Sequence, residues 1–157
     1  MKLCMIGTGY VGLVSGACFS DLGNTVYCVD SDVEKINALN KGIVPIYEPG
    51  LEEILKRNYK QERLIFTNNL KEAVENSDMI FICVGTPTKK NCNSADLKYV
   101  FSVANNLKKL IKSYKIIITK STVPVTTGDK IEKILIKQKR KKIVDIVSNP
   151  EFLREGE

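Results

Sequence analysis

Leu3-Cys4-Met5-Ile6-Gly7-Thr8-Gly9-Tyr10-Val11-Gly12 decides how the rest of the chain is read. Four apolar residues run straight into a G-x-G-x-x-G turn, and a segment of helical character follows. Eighteen residues beyond Gly12, after a second apolar run Val26-Tyr27-Cys28-Val29, stands Asp30. A glycine motif between a strand and a helix, with an acid at the end of the next strand, is a dinucleotide-binding fingerprint. Each part has a physical task. Gly7 allows the tight turn out of the strand. Gly9 lacks a Cβ, so a pyrophosphate can approach the backbone. Gly12 lets helix and strand pack closely. Free N–H groups at the helix start then face the phosphates. Asp30 accepts hydrogen bonds from the adenosine ribose hydroxyls, and its charge repels a 2′-phosphate. The expected cofactor is NAD rather than NADP.

Composition bounds the rest. The 157 residues suffice for one domain with a sizeable core, and 43% hydrophobic with 27% charged residues is ordinary for a globular protein. No apolar stretch approaches the roughly 20 residues a membrane span needs. The N-terminus enters a strand directly, without a signal-peptide pattern, which points to the cytoplasm and away from a membrane. Five cysteines without a CxxC pair read as reduced thiols: Cys4, Cys28 and Cys83 in apolar runs, Cys18 in a helix, Cys92 in a polar loop. Histidine is absent, which removes the commonest general base and metal ligand, and no metal site is expected. The net charge of +6 suits an anionic ligand. The basic run 137–142 reads as a solvated helix end. Without interleaved aromatic residues it does not point to nucleic acid.

The chain then alternates strand and helix. Strand 2–6 is followed by a helix over about 10–22 and strand 25–30. Ser31-Asp32-Val33-Glu34 has the form of a capping box for a second helix carrying Ile36 and Leu39. A proline- and glycine-containing loop, 44–50, leads to a short helix with Leu51, Ile54 and Leu55. Strand 64–67 and a helix over 69–75 follow. The fourth strand, 79–84, is a continuous apolar run that suits a buried parallel strand. A long helix over 97–111 has Ser94 as its expected N-cap. Strand 116–119, a helix with Ile131, Ile134 and Leu135, and strand 143–147 complete the pattern. Six strands alternating with helices imply an α/β, Rossmann-type doubly wound parallel sheet of order 3-2-1-4-5-6.

In this topology the segments after the strands share one rim. These are the glycine turn, Gly85–Thr88, Ser121-Thr122 and Glu151–Glu155. Glu151 and Glu155, spaced i, i+4, share a face if that segment is helical. A carboxylate beside a nicotinamide can act as a general base or hold a water. A dinucleotide domain takes its substrate pocket from a second domain. Residues 1–157 therefore read as the NAD-binding portion of a longer dehydrogenase, with a substrate domain beyond.

Seven blocks carry a resemblance. They are GTGYVG at 7–12, the Asp30/Lys35 pair, PIYEPGL at 45–51, CVGTPT at 83–88, ADLKYV at 95–100, KSTVPV at 120–125 and NPEFLREG at 149–156. In order and spacing they resemble the N-terminal domain of the UDP-glucose/GDP-mannose dehydrogenase family, and KSTVPV and EFLREG resemble its UDP-glucose branch. The resemblance implies oxidation of UDP-glucose to UDP-glucuronate with two NAD reduced. The route runs through a thioester on a downstream cysteine that none of the five here matches. It implies cofactor contacts from Gly7, Thr8, Gly9, Tyr10, Val11, Gly12, Asp30, Lys35, Val84, Gly85, Thr86, Pro87, Thr88, Ser121, Thr122 and Glu155. Thr122 would hold the catalytic water, and Glu151 would be the general base. Glu151, Phe152, Leu153, Arg154 and Glu155 would begin the sugar-nucleotide pocket. The partners implied are UDP-glucose, the remainder of the polypeptide and a second copy in a homodimer. Asn93-Ser94 and Thr126-Thr127 depart from the family pattern, which has Asp-Gly at the first place and a glycine at the second, and small effects are expected. The alternatives are a GDP-mannose or UDP-N-acetylhexosamine dehydrogenase, and a stand-alone NAD-binding module.

Overall fold

The computed structural model describes residues 1–89, 94–136 and 143–152. Six strands form one parallel sheet: β1 (Lys2–Ile6), β2 (Thr25–Val29), β3 (Leu64–Thr67), β4 (Met79–Ile82), β5 (Lys115–Thr119) and β6 (Val144–Ser148). Their order is β3-β2-β1-β4-β5-β6, with Met5 opposite Cys28 on one side and Phe81 on the other. The helices are α1 (Tyr10–Asp21), α2 (Val33–Asn40), α3 (Leu51–Lys60), α4 (Leu70–Asn76), α5 (Lys98–Leu110) and α6 (Thr127–Leu135). Side chains alternate across a strand, so each strand feeds two cores. Leu3 and Met5 pack with Leu13 and Ala17 of α1, Ile36 and Leu39 of α2, and Leu51 and Leu55 of α3. Cys4 and Ile6 pack with Val74 of α4, Leu107 of α5 and Ile131 of α6.

The glycine turn sets how closely α1 approaches the sheet. Gly7 has φ +102°, and a Cβ there would lie 2.8 Å from the Cys83 carbonyl oxygen. A Cβ on Gly12 would lie 1.8 Å from the Gly7 oxygen. One turn further on, a Cβ on Gly16 would meet Cys28 Sγ at 2.6 Å. The motif ends at Gly12, but the close contact continues for another turn of helix.

Three local expectations are corrected. The N-cap of α2 is Asp32, whose carboxylate accepts the Lys35 N–H at 3.0 Å, so Ser31 and Glu34 do not form the expected box. Ser94 does not cap α5. Its carbonyl accepts the Lys89 N–H at 2.9 Å beside the antiparallel Thr88–Ala95 bridge, while Asp96 Oδ1 takes the Lys98 N–H at the helix start. Fourth-strand residues Cys83 and Val84 lie beyond β4, although the Cys83 N–H still donates to the Ile6 carbonyl at 2.8 Å. The sequence pattern also gives no sign of a buried lysine. Lys115 begins β5, and its ammonium donates to the carbonyls of Ser77 at 2.5 Å and Glu75 at 3.5 Å, closing the C-terminal end of α4. Cys92, the basic run 137–142 and Asn93 lie outside the described residues.

Thr126 departs from the expected small effect. It is the N-cap of α6 with φ 73° and ψ −3°, the left-handed region, and makes no capping hydrogen bond through its side chain. A β-branched residue there is strained by about 1–2 kcal/mol. Glycine removes the strain but adds freedom to the unfolded chain, so Thr126→Gly is expected to gain about 1 kcal/mol net. Thermal unfolding should then shift upward by about 2–4 °C. A lower midpoint would contradict the strain.

Candidate functional site

Asp30 is the hub of the cofactor end. It follows β2 directly, and its Oδ2 accepts the Thr8 N–H at 2.9 Å, the Thr8 hydroxyl at 2.8 Å and the Lys35 ammonium at 3.0 Å. Its Oδ1 accepts the Asp32 N–H at 3.1 Å. Burial alone would raise its pKa. The hydrogen bonds from Thr8, Asp32 and Lys35 outweigh burial and hold it down at about 2. Asp30 is thus a fixed anion, and Oδ1 retains lone-pair capacity for a ribose hydroxyl. The sequence names Asp30 and Lys35 as expected contacts. It did not show that Thr8, buried beneath the turn, ties the carboxylate to the glycine loop.

The phosphate cradle fits its task on two grounds. The first-turn N–H groups of α1 have no intrahelical acceptor, and Gly9 provides no side-chain cap. A Cβ on Gly9 would meet nothing within 4 Å, so the space a pyrophosphate needs is open. Beside Asp30 lies a cleft of about 220 Å³, lined by Gly7, Asn68, Val84, Tyr99, Ser102 and Asn106 among others. Tyr99 belongs to the ADLKYV block, whereas nothing in the sequence reading points to Ser102 or Asn106. Spacing of three and four puts the three residues on one face of α5. A half-exposed tyrosine and two small polar residues on a helix beside the fingerprint were the available signal.

The remaining rim is laced by hydrogen bonds between loops. The Thr86 hydroxyl donates to the Thr122 carbonyl at 3.0 Å. The buried Ser121 hydroxyl lies 2.6 Å from the Val84 carbonyl and 3.2 Å from that of Ile82. Lys120 Nζ reaches Asn149 Oδ1 at 3.3 Å, and the Asn149 N–H donates to the Thr119 carbonyl. The loops after β4, β5 and β6 are therefore one connected surface. Gly85 is exposed beside them, as are Pro87 and Thr88. Thr122 is exposed, Glu151 is partly buried and Phe152 is 90% exposed. Leu153, Arg154 and Glu155 lie outside the described residues, as does any pairing of Glu155 with Glu151 or the cofactor.

The cysteines of the described residues are not activated. Burial raises the thiol pKa of Cys4 and Cys28 far above the ordinary value and that of Cys83 to about 12. Burial and the nearby Asp21 also raise that of Cys18. Such thiols are poor nucleophiles.

Asp30 links site and stability. Its folded pKa lies below the ordinary 3.8, so its stabilisation is complete above about pH 4 and disappears as pH falls through about 2. The shift corresponds to roughly 2 kcal/mol. Urea unfolding should show wild type more stable than Asp30→Asn at pH 5, with the gap closing toward pH 2.5. A gap independent of pH would refute the assignment. Wild type should also bind NADH at least tenfold more tightly than NADPH by calorimetry, because the 2′-phosphate would meet this carboxylate.

Comparison with known proteins agrees with this geometry. The profile of the UDP-glucose/GDP-mannose dehydrogenase family, NAD binding domain, matches residues 1–157. The chain is 51% identical over 156 residues to a UDP-glucose 6-dehydrogenase of Rhizobium meliloti (strain 1021), covering 99% of this chain and 36% of that protein. It is 50% identical to UDP-glucose 6-dehydrogenase TuaD of Bacillus subtilis (strain 168), covering 99% of this chain and 34% of the relative. The chain thus spans about a third of the length of these relatives. Among solved structures, a GDP-mannose dehydrogenase from Pseudomonas aeruginosa superposes with TM-score 0.91 at 37% identity, covering 99% of this chain and 37% of that one. A UDP-glucose dehydrogenase from Pyrobaculum islandicum gives TM-score 0.91 at 38% identity, covering 98% and 36%. The fold, the glycine cradle and these matches agree: the chain belongs to the UDP-glucose/GDP-mannose dehydrogenase family, as its NAD-binding domain.

Proposed function

We propose that this chain is the cofactor half of an NAD-dependent UDP-glucose 6-dehydrogenase that oxidises UDP-glucose to UDP-glucuronate. The observation that carries the substrate choice is identity of about half the residues, across 99% of the chain, with proteins named UDP-glucose 6-dehydrogenase. The fold does not separate the substrates, because GDP-mannose and UDP-glucose enzymes superpose equally well. The intact enzyme acts as a cytoplasmic homodimer.

The bound nicotinamide supplies the hydride acceptor for both oxidations. The chain's own residues bind and orient. Asp30 and Lys35 hold the adenosine ribose, and the first-turn amides of α1 hold the pyrophosphate. The Thr86–Thr122 and Ser121–Val84 hydrogen bonds keep the loops after β4 and β5 at a fixed separation beneath the reacting end. The Thr122 hydroxyl holds a water, and Glu151 takes its proton as the water attacks a thioester carbon. The carbon–sulfur bond then breaks, and the sulfur leaves on a cysteine outside the five of this chain. Phe152, Leu153, Arg154 and Glu155 begin the sugar-nucleotide pocket, with Glu155 also near the cofactor.

The test separates cofactor binding from turnover. The 157-residue chain alone is expected to bind NADH and to give no steady NADH production with UDP-glucose and NAD. The intact protein is expected to produce two NADH per UDP-glucose and to leave GDP-mannose and UDP-N-acetylhexosamines unoxidised. Turnover by the isolated chain would overturn the division of labour. Preference for another sugar nucleotide would overturn the substrate. Asp30→Asn should raise the NADH Kd by about tenfold, since a charge-assisted hydrogen bond contributes about 1.5–3 kcal/mol.

A further inference from the structure

The loop before α3 reaches across to the pyrophosphate cradle. Tyr10 is the first residue of α1, directly after Gly9, and its phenol donates a hydrogen bond to Glu48 Oε2. Glu48 opens a tight turn. The Leu51 N–H donates to the Glu48 carbonyl at 3.1 Å, and Gly50 between them has φ 77° and ψ −9°. Proline at the second place and a left-handed glycine at the third define a type II turn. That conformation is why Gly50 is glycine. The Gly50 carbonyl then accepts the Ile54 N–H, so the turn passes directly into α3.

α3 itself is firmly seated. Leu51 and Leu55 are buried in the core shared with α1, and the far end of α3 grips the far end of α1. Asp21 Oδ1 accepts from Arg57 Nη2 at 2.6 Å and from the buried Asn58 at 2.9 Å. Thus the turn and α3 together hold α1 at both ends. The end held by Tyr10 and Glu48 is the one whose amides face the phosphates. A carboxylate so near an anion site would by itself oppose a phosphate. Here it is turned to the phenol.

We propose that Glu48 is a positioning residue for cofactor binding: through Tyr10 it fixes the first turn of α1 so that its amides meet the pyrophosphate. The inference rests on the NAD-binding assignment. Because Glu48 acts on the phosphate-facing amides, its loss must weaken ligands carrying the pyrophosphate and spare those without it. Misplacing such preorganised donors costs binding without requiring loss of the fold.

Calorimetry on the intact protein tests this, with NADH as titrant, adenosine as a competing ligand and urea unfolding alongside. Glu48→Ala and Tyr10→Phe are each expected to raise the NADH Kd by about 5- to 10-fold, equivalent to about 1–1.4 kcal/mol. The double variant should be no weaker than either single, as expected of two residues acting through one contact. Glu48→Gln, whose amide oxygen still accepts the phenol proton, should recover most of the loss. Adenosine competition should change less than about twofold, because Asp30 and its cleft are untouched. Unchanged NADH affinity in Glu48→Ala and Tyr10→Phe would overturn the proposal. So would equal weakening of adenosine, or additive losses in the double variant. Should Glu48→Ala not fold, Tyr10→Phe and Glu48→Gln decide alone. Wild type that fails to bind NADH would overturn the NAD assignment itself, a result distinct from normal wild-type binding with indifferent variants.

Discussion

The contact between the Gly7 carbonyl and the bare Cα of Gly12 sets the spacing of the whole domain. A Cβ on Gly12 would lie only 1.8 Å from that oxygen, so any side chain would force α1 outward. Gly16 repeats the demand against Cys28 one turn on. Because β1 lies at the centre of the sheet, moving α1 would disturb the core that α1 shares with α2 and α3. It would also swing the helix N-terminus away from the strand ends, where a ligand meets it. Packing and binding thus depend on the same absent side chains.

Asp30 connects that cradle to its neighbours. Its hydrogen bonds to Thr8 tie the end of β2 to the turn after β1, and its ion pair with Lys35 ties both to α2. Even a partly buried carboxylate is costly unless its lone pairs are satisfied. Here four donors satisfy it and still leave a direction for a ribose. The two oxygens divide the work: Oδ2 takes three donors from the protein, while Oδ1 takes one.

On the other half of the sheet, hydrogen bonds between loops do what glycine packing does at α1. Thr86, Ser121, Lys120 and Asn149 join the turns after β4, β5 and β6. The hydroxyl of Ser121 reaches the backbone carbonyls of Ile82 and Val84, which ties the turn after β5 to the loop after β4. The strain at Thr126 lies just beyond this laced region, where the chain must turn sharply to enter α6. Glycine would meet that turn without strain, which is why the residue type matters more than its loop position suggests.

Much of this was legible in the residues themselves. The glycine spacing, Asp30 and the alternation of apolar runs with amphipathic segments depend only on local periodicity and on what a backbone can do without a Cβ. They determined the sheet order and the cofactor class, and they pointed to the rim formed by the segments after the strands. The errors were local. Ser31 and Ser94 have the right chemistry for caps, but Asp32 takes the cap of α2, and α5 starts from Leu97 without a side-chain cap. What only the tertiary structure decided concerns pairs far apart in sequence: Thr8 with Asp30, Tyr10 with Glu48, Thr86 with Thr122, and the α5 face beside the cleft at Asp30. No periodicity encodes such partners. They meet because the sheet's crossovers bring distant turns to one edge, where hydrogen-bond geometry selects among them.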